Sequence, residues 1–257
     1  MGRALRVVAG GFAYHVLNRA NARMTIFDTS KDYEAFEQVL ADAVGRVKMR
    51  LLAYCVMPNH WHLVVWPRED GDLSAFVGWL TLTHTQRWHA HRHSVGSGHV
   101  YQGRFKSFLV ESDEYLWTVC RYVERNALRA GLCGRAEAWQ WSSLWRREFG
   151  DAKLRAILSK WPLDVPKDWV RRVNRAESQR ELEALRRCVN RGQPLGSDAW
   201  VERMTKRFGL DSAFRPQGRP RKELAGNGYC GRDGPCGPPP AQIRTCSATA
   251  YGSYLGG

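Results

Sequence analysis

His60 and His62 flank Trp61 in a short apolar run, His60-Trp-His-Leu-Val-Val-Trp66. On a strand, side chains two residues apart project to the same face, so both imidazoles stand together and Trp61 points away. Two neighbouring imidazoles can chelate one divalent cation. The same spacing also describes a pair of hydrogen-bonded strand histidines that hold nothing. A second grouping lies in the helical pattern Arg121-Tyr-Val-Glu-Arg-Asn126-Ala-Leu-Arg129. Tyr122 and Asn126 are four residues apart and share a helix face. A phenol beside a carboxamide can supply a nucleophile with a metal-ligating neighbour, or be a core tyrosine over a buried amide. Tyr115 lies one heptad earlier on the same stripe and competes for the nucleophile's role. His84, His89, His91 and His93 run off a helix end among Arg87 and Arg92, and read as solvated surface or a phosphate contact.

These groups need elements to hold them. Residues 12–18 alternate and read as a strand. Thr29-Ser30 can cap a helix over 31–47, with Tyr33, Phe36, Val39, Leu40, Ala43, Val44 and Val47 at helical spacing. Residues 51–56 form an apolar strand, Met57-Pro-Asn59 breaks it, and 60–66 returns as the second arm of a hairpin. A helix follows over 73–89, then a loop, a strand over 104–110, and a helix capped by Ser112 that runs to about Ala130 and is stopped by Gly131. The order strand, helix, strand, strand, helix, strand, helix predicts an α+β fold: a ferredoxin-like antiparallel sheet covered by helices. Beyond it, 176–190 and 197–208 read as two helices on a Gly/Pro turn, either a helix-turn-helix or a plain helical hairpin, with Trp200 in the core.

The chain has 257 residues and a formal charge of +14. Residues 1–150 carry +5 of it and residues 151–257 the remaining +9. A cationic excess of this size points to nucleic acid before acidic lipid. No apolar run of about 18 residues is present to span a bilayer, and the first residues do not read as a secretory signal. A cytoplasmic, nucleoid-associated protein with no membrane partner is expected. The 7 cysteines form no C-x-x-C pair and read as reduced thiols, with Cys55 and Cys120 buried. Residues 226–257 hold 8 Gly and 4 Pro and read as a disordered tail. The expected organisation is therefore a catalytic domain over 1–150, a basic helical DNA-binding extension over 151–225, and the tail.

Tyr54-Cys-Val-Met-Pro-Asn-His60-Trp-His62, Gly98-His-Val-Tyr-Gln-Gly-Arg-Phe-Lys-Ser107 and Arg121-Tyr-Val-Glu-Arg-Asn-Ala-Leu-Arg-Ala-Gly-Leu132 strongly resemble, in that order, motifs of the single-tyrosine, IS200-like transposases, with the first matching their His-hydrophobic-His (HUH) motif. Trp139-Gln-Trp-Ser-Ser143 and Gly218-Arg-Pro-Arg-Lys222 resemble the subgroup associated with repeated extragenic palindromes (REP). The likeness runs over about residues 10–222. It implies a metal-dependent single-strand DNA endonuclease and strand transferase on a ferredoxin-like core. His60 and His62 match its metal pair, Tyr122 its nucleophile, and Asn126 the polar residue, often Gln in relatives, that completes the metal site. Mg²⁺ or Mn²⁺ is the implied cofactor. The family form Asn-Pro-Val-Arg reads Asn126-Ala-Leu-Arg129 here, which changes the backbone locally but removes no ligand.

The resemblance implies a 5′-phosphotyrosine intermediate formed without nucleotide hydrolysis, which agrees with the lack of a Walker-type loop. The substrate it implies is a palindromic hairpin cleaved at a single-stranded flank. Candidate DNA contacts are Arg104, Lys106, Arg121, Arg125, Arg129, Arg171 and Arg172, with Arg219, Arg221 and Lys222 in a motif that resembles part of a minor-groove hook and reads equally as a simple basic linker. Relatives include dimers and monomers, so either state fits. The rival reading is a non-catalytic protein that binds hairpin DNA and keeps the fold; pure binding requires no histidine, tyrosine and asparagine quartet. Removing residues 151–222 is expected to flatten the salt dependence of binding and leave the chemistry in part.

Overall fold

The computed structural model describes residues 6–215. A four-stranded antiparallel sheet is built from β1 (Ala13–Arg19), β2 (Arg50–Met57), β3 (His60–Trp66) and β4 (Lys106–Val110), in the order β2-β3-β1-β4. With α1 (Ser30–Val47) between β1 and β2 and α2 (Asp72–His91) between β3 and β4, this is the ferredoxin-like arrangement that the pattern predicts. Pro58 and Asn59 make the two-residue turn of the β2–β3 hairpin. Thr29 caps α1, its N–H donating to Asp32 Oδ2 at 2.8 Å.

The sheet is buried on both faces. One face carries Tyr14, Val16, Leu51, Tyr54, Val56, Trp61, Leu63 and Val65 against α1 and α2. The other carries Ala13, Ala53, Cys55, Val64, Phe108 and Val110 against α3 (Glu114–Glu124), α4 (Asn126–Arg129), α5 (Ser143–Phe149) and later helices. Asp113, not Ser112, caps α3, accepting from Tyr115 N–H at 3.0 Å. Arg125 separates α3 from α4, yet the 129→125 hydrogen bond continues the ladder at 2.9 Å, so Tyr122 and Asn126 keep their shared face.

Short α6 (Ala152–Arg155) and α7 (Trp169–Asn174) lead to α8 (Gln179–Arg191) and α9 (Asp198–Phe208). Among the described residues, those from 151 to 215 build no core of their own: Trp169, Val173, Leu185 and Cys188 join the α3 side, while Trp200 and Met204 join the α1/α2 side. The last two helices therefore straddle the sheet, which closes the helix-turn-helix alternative. The segment between them crosses the β4 edge, where Leu195 N–H donates to Leu109 O at 2.8 Å and Glu111 N–H to Leu195 O at 2.9 Å. Gly192 ends α8 at φ +72°, and a side chain at Gly196 would collide with Trp200 and Glu111.

The Trp139–Ser143 motif covers the opposite edge of the sheet. Trp139 Nε1 donates to Val56 O at 2.9 Å, Val56 N–H donates to Trp141 O at 2.8 Å, and Ser143 Oγ donates to Glu124 Oε1 at 2.6 Å. Both sheet edges are thus paired, which removes open templates for further strands. Cys55, Cys120 and Cys188 are buried free thiols. Cys230, Cys236, Cys246, the hook residues Arg219, Arg221 and Lys222, and the tail lie outside the described residues. Among the described residues no helix is long and apolar enough to cross a membrane.

Candidate active site

The β3 alternation places His60 and His62 on the α3 side of the sheet, their ring centroids 5.1 Å apart. Trp61 takes the opposite face, fully buried, with its Nε1 donating to Tyr101 Oη at 3.0 Å. Helix α3 lays Tyr122 over the pair: its ring centroid is 5.9 Å from that of His62. Tyr115 packs at the margin of the same hydrophobic cluster and makes no ring contact with either histidine among the described residues. Of the two candidate phenols, Tyr122 is the one beside the imidazoles. Its hydroxyl makes no hydrogen bond among the described residues.

Two neighbours that sequence reasoning missed fix the imidazoles. His15 on β1 faces the same side and lies with Nε2 2.9 Å from His62 Nδ1. Asn59, in the hairpin turn, lies with Oδ1 2.6 Å from His60 Nδ1. A carboxamide oxygen only accepts, so His60 carries its proton on Nδ1 and keeps a lone pair on Nε2. If His62 likewise donates from Nδ1 to His15, its Nε2 lone pair is left open too. Burial pushes His60 down to about 4, with Arg19 and Arg129 adding to the effect. Burial also pushes His15 down to about 3 and holds His62 well below the ordinary imidazole range. All three are neutral at pH 7, the state in which imidazole ligates a metal.

The donor set fits a divalent cation held by two imidazole Nε2 atoms with positions left for oxygen ligands. Among the described residues no group of 3 or more His, Cys, Asp or Glu converges on a metal position. The remaining protein candidate is Asn126, which is buried at 7 % exposure. Its Oδ1 accepts from Arg129 Nη2 at 3.0 Å, and its Nδ2 is buried with no partner. In this arrangement the amide oxygen is engaged by a guanidinium, so ligation by Asn126 requires that bond to be exchanged.

The candidate DNA-contacting cations divide into two groups. Arg121 pairs with Glu181 at 2.7 Å, while Arg125 and Arg129 pair with Glu177 at 3.1 and 2.8 Å. These guanidiniums tie α3 and α4 to the later segments. Arg171 and Arg172 are exposed on α7, each paired with Asp168 at 2.6 and 2.7 Å. Arg104 and Lys106, also exposed, line a cleft of about 330 Å³ with Leu17, Asn18, Arg19, Gln102, Val189 and Asn190. Strand register places this cleft beside the histidines: Leu17 pairs with both His62 and Lys106, and Arg19 pairs with His60. Directly paired residues share a sheet face, so Arg19, Lys106 and the imidazoles form one row. Arg19 was legible only through that register.

The histidine series at the end of α2 departs from the surface reading. His84 is 4 % exposed, with Nδ1 2.7 Å from Tyr101 Oη and its ring stacked 5.3 Å from Phe27. Five residues further on, His89 contacts the loop at Ser94 and Gly98. The difference arises because position 84 continues the Phe76–Leu80 stripe at four-residue spacing, on the buried face of α2 that packs against Phe36 of α1.

Residues 9–126 match the model of a family described as transposase IS200 like. No curated protein matches the chain. Among solved structures, a REP-associated tyrosine transposase bound to a REP hairpin is similar at 15 % identity, over 69 % of this chain and 93 % of that one, with a TM-score of 0.49. A protein from Deinococcus radiodurans described as a transposase is similar at 18 % identity, over 48 % of this chain and 96 % of that one, with a TM-score of 0.34.

Proposed function

We propose that this chain, whose residues 9–126 match the model of the IS200-like transposase family, is a DNA transposase that acts as a single-strand endonuclease and strand transferase with Tyr122 as its nucleophile. The observation that carries the reading is the packing of the Tyr122 ring 5.9 Å from His62, beside a second neutral imidazole.

In the proposed reaction the Tyr122 oxygen attacks a phosphodiester phosphorus. The bond to the 3′-oxygen breaks and a tyrosyl–phosphate ester forms. The phenol loses its proton and the departing 3′-oxygen gains one, so the products are a 5′-phosphotyrosine and a free 3′-hydroxyl. Attack by a 3′-hydroxyl on the ester reverses the step and joins strands, with no external energy source. His60 and His62 would hold Mg²⁺ or Mn²⁺, which when bound supplies charge stabilisation at the phosphate oxygens. The chain's own contributions are neutral imidazoles with fixed ring orientation and a phenol restrained by its helix. Arg19, Arg104 and Lys106 give neighbouring phosphates a cationic cleft beside the imidazoles.

A hairpin with a single-stranded flank is the proposed substrate, from the likeness of Trp139–Ser143 and of the 218–222 motif to the REP-associated subgroup. The test is a denaturing gel of the full chain with Mn²⁺ and such an oligonucleotide. Wild type is expected to give a covalent protein–DNA adduct that Tyr122→Phe abolishes. An adduct that persists in Tyr122→Phe and disappears in Tyr115→Phe overturns the nucleophile assignment. Tight hairpin binding with no cleavage, across metals and flanks, favours the non-catalytic reading.

A further inference from the structure

We propose that Glu177, which lies outside every motif, is a positioning residue for Tyr122 and Asn126 and acts on them through Arg129. The inference rests on the reading of Tyr122 as nucleophile. Glu177 sits just before the Ser178 cap of α8, in the part of the chain that composition assigns to DNA binding. Its side chain is 2 % exposed and is shared by two guanidiniums: Oε1 accepts from Arg129 Nη1 at 2.8 Å and Oε2 from Arg125 Nε at 3.1 Å.

Arg129 carries this grip into the site. Its guanidinium lies 4.1 Å from the centroid of the Tyr122 ring. Nη2 donates to Asn126 Oδ1 at 3.0 Å, and both Nη atoms reach the Tyr122 carbonyl at 3.4 and 3.3 Å. A planar, five-donor fork engaged on a carboxylate, a carboxamide, a carbonyl and an aromatic face has one orientation available. That orientation sets the direction of the Asn126 amide and restrains the phenol ring. Arg125 anchors the other side, with Nη1 donating to Val173 O at 3.1 Å and also bonded to Asn174 O.

Glu177 is also the shared counter-ion of two like charges one helical turn apart. Without it Arg125 and Arg129 repel each other and the fork loses its anchor, while the hydrophobic contacts between α3 and the later helices remain. Buried ion pairs add little net stability over apolar replacements, so fixed geometry at the nucleophile is the property this carboxylate supplies.

The experiment compares wild type, Glu177→Gln, Glu177→Asp and Arg129→Lys, with Glu181→Gln as a control that breaks a different contact between α8 and α3. Single-turnover cleavage is followed at saturating hairpin DNA with Mn²⁺, together with hairpin affinity. In parallel, 3-fluorotyrosine at position 122 is observed by ¹⁹F NMR without DNA or metal. Glu177→Gln is expected to slow cleavage about 30-fold or more, with affinity held within about threefold, because only the alignment of the nucleophile is lost. Glu177→Asp should recover part of the rate, and Glu177→Gln should add little to Arg129→Lys, since both act on one contact chain. The fluorine resonance should move or broaden in Glu177→Gln and Arg129→Lys and stay in place in Glu181→Gln. If Glu177→Gln does not melt cooperatively, Glu177→Asp and Arg129→Lys carry the same readouts. Cleavage within about threefold of wild type with an unmoved resonance overturns the proposal. An inactive wild type, or an adduct formed by Tyr122→Phe, overturns instead the nucleophile reading, and the fluorine signal still reports the positioning contact.

Discussion

His15 Nε2 and His62 Nδ1 lie 2.9 Å apart in the buried interior of the site, on adjacent strands. The contact orients one half of the proposed metal pair from behind. Asn59 does the same for His60 at 2.6 Å.

Replacing His15 with Phe should preserve the tilted ring contact with Phe108, whose ring centroid is 4.9 Å away, while removing the hydrogen bond to His62. Loss of such an outer partner typically costs about 10- to 100-fold in metal affinity. Titration calorimetry with Mn²⁺ on wild type and His15→Phe checks this. Equal affinities would mean that His62 is oriented by packing alone.

The cleft cations and the paired arginines should separate in salt dependence. Each phosphate contact to a single strand contributes about 0.7 to the slope of log K against log salt, so neutralising Arg19, Arg104 and Lys106 together should flatten it by about 2. Arg125→Ala should leave the slope nearly unchanged and lower thermal stability instead, because its guanidinium is engaged by Glu177 and by backbone carbonyls. Binding titrations over a salt series, paired with melting curves, distinguish the two behaviours.

Truncation after Gly150 is expected to abolish both cooperative folding and chemistry, rather than leave the reaction in part. It removes Trp169, Val173, Leu185 and Cys188 from the core on the α3 side. Buried apolar side chains of this kind contribute about 2 kcal/mol each, against a total stability of about 5–15 kcal/mol. The cut also removes Trp169 Nε1 from Glu124, 2.7 Å away on α3, and Glu177 from Arg129. A soluble, cooperatively melting, cleavage-competent fragment 1–150 would contradict this.

His84 should make stability depend on pH. Burial pushes its imidazole down to about 4, with Asp32 opposing. The unfolded chain takes up a proton near pH 6.5, whereas the folded state resists until about 4. Stability is therefore full above pH 6.5, falls as pH drops through this window, and levels off below it, with a loss on the order of 3 kcal/mol. Urea unfolding from pH 7.5 to 4 should show a shallower fall in His84→Gln. The difference between the two proteins isolates this residue from the other buried imidazoles. Parallel curves would show that position 84 does not titrate differently on folding.

Local periodicity alone determined much of this protein. The alternation of 60–66 put His60 and His62 on one face and Trp61 on the other, and the four-residue spacing put Tyr122 above Asn126. The order of elements was sufficient for the ferredoxin-like sheet, because few connections satisfy that order with short loops. Each of these is a statement about neighbours in the chain, fixed by backbone geometry that repeats every two or 3.6 residues.

Tertiary structure alone decided which distant groups complete the site. His15 is 47 residues from His62, and Glu177 is 48 from Arg129. Periodicity assigns each of these residues a face but no partner. The pairing follows from strand register and from where helices pack when the sheet closes. The same holds for the arginines of α3 and α4. In sequence they are the same undifferentiated positive charge as Arg19 and Arg104, and only folding separates Arg121, Arg125 and Arg129, held by Glu181 and Glu177, from the arginines that line the cleft beside His60.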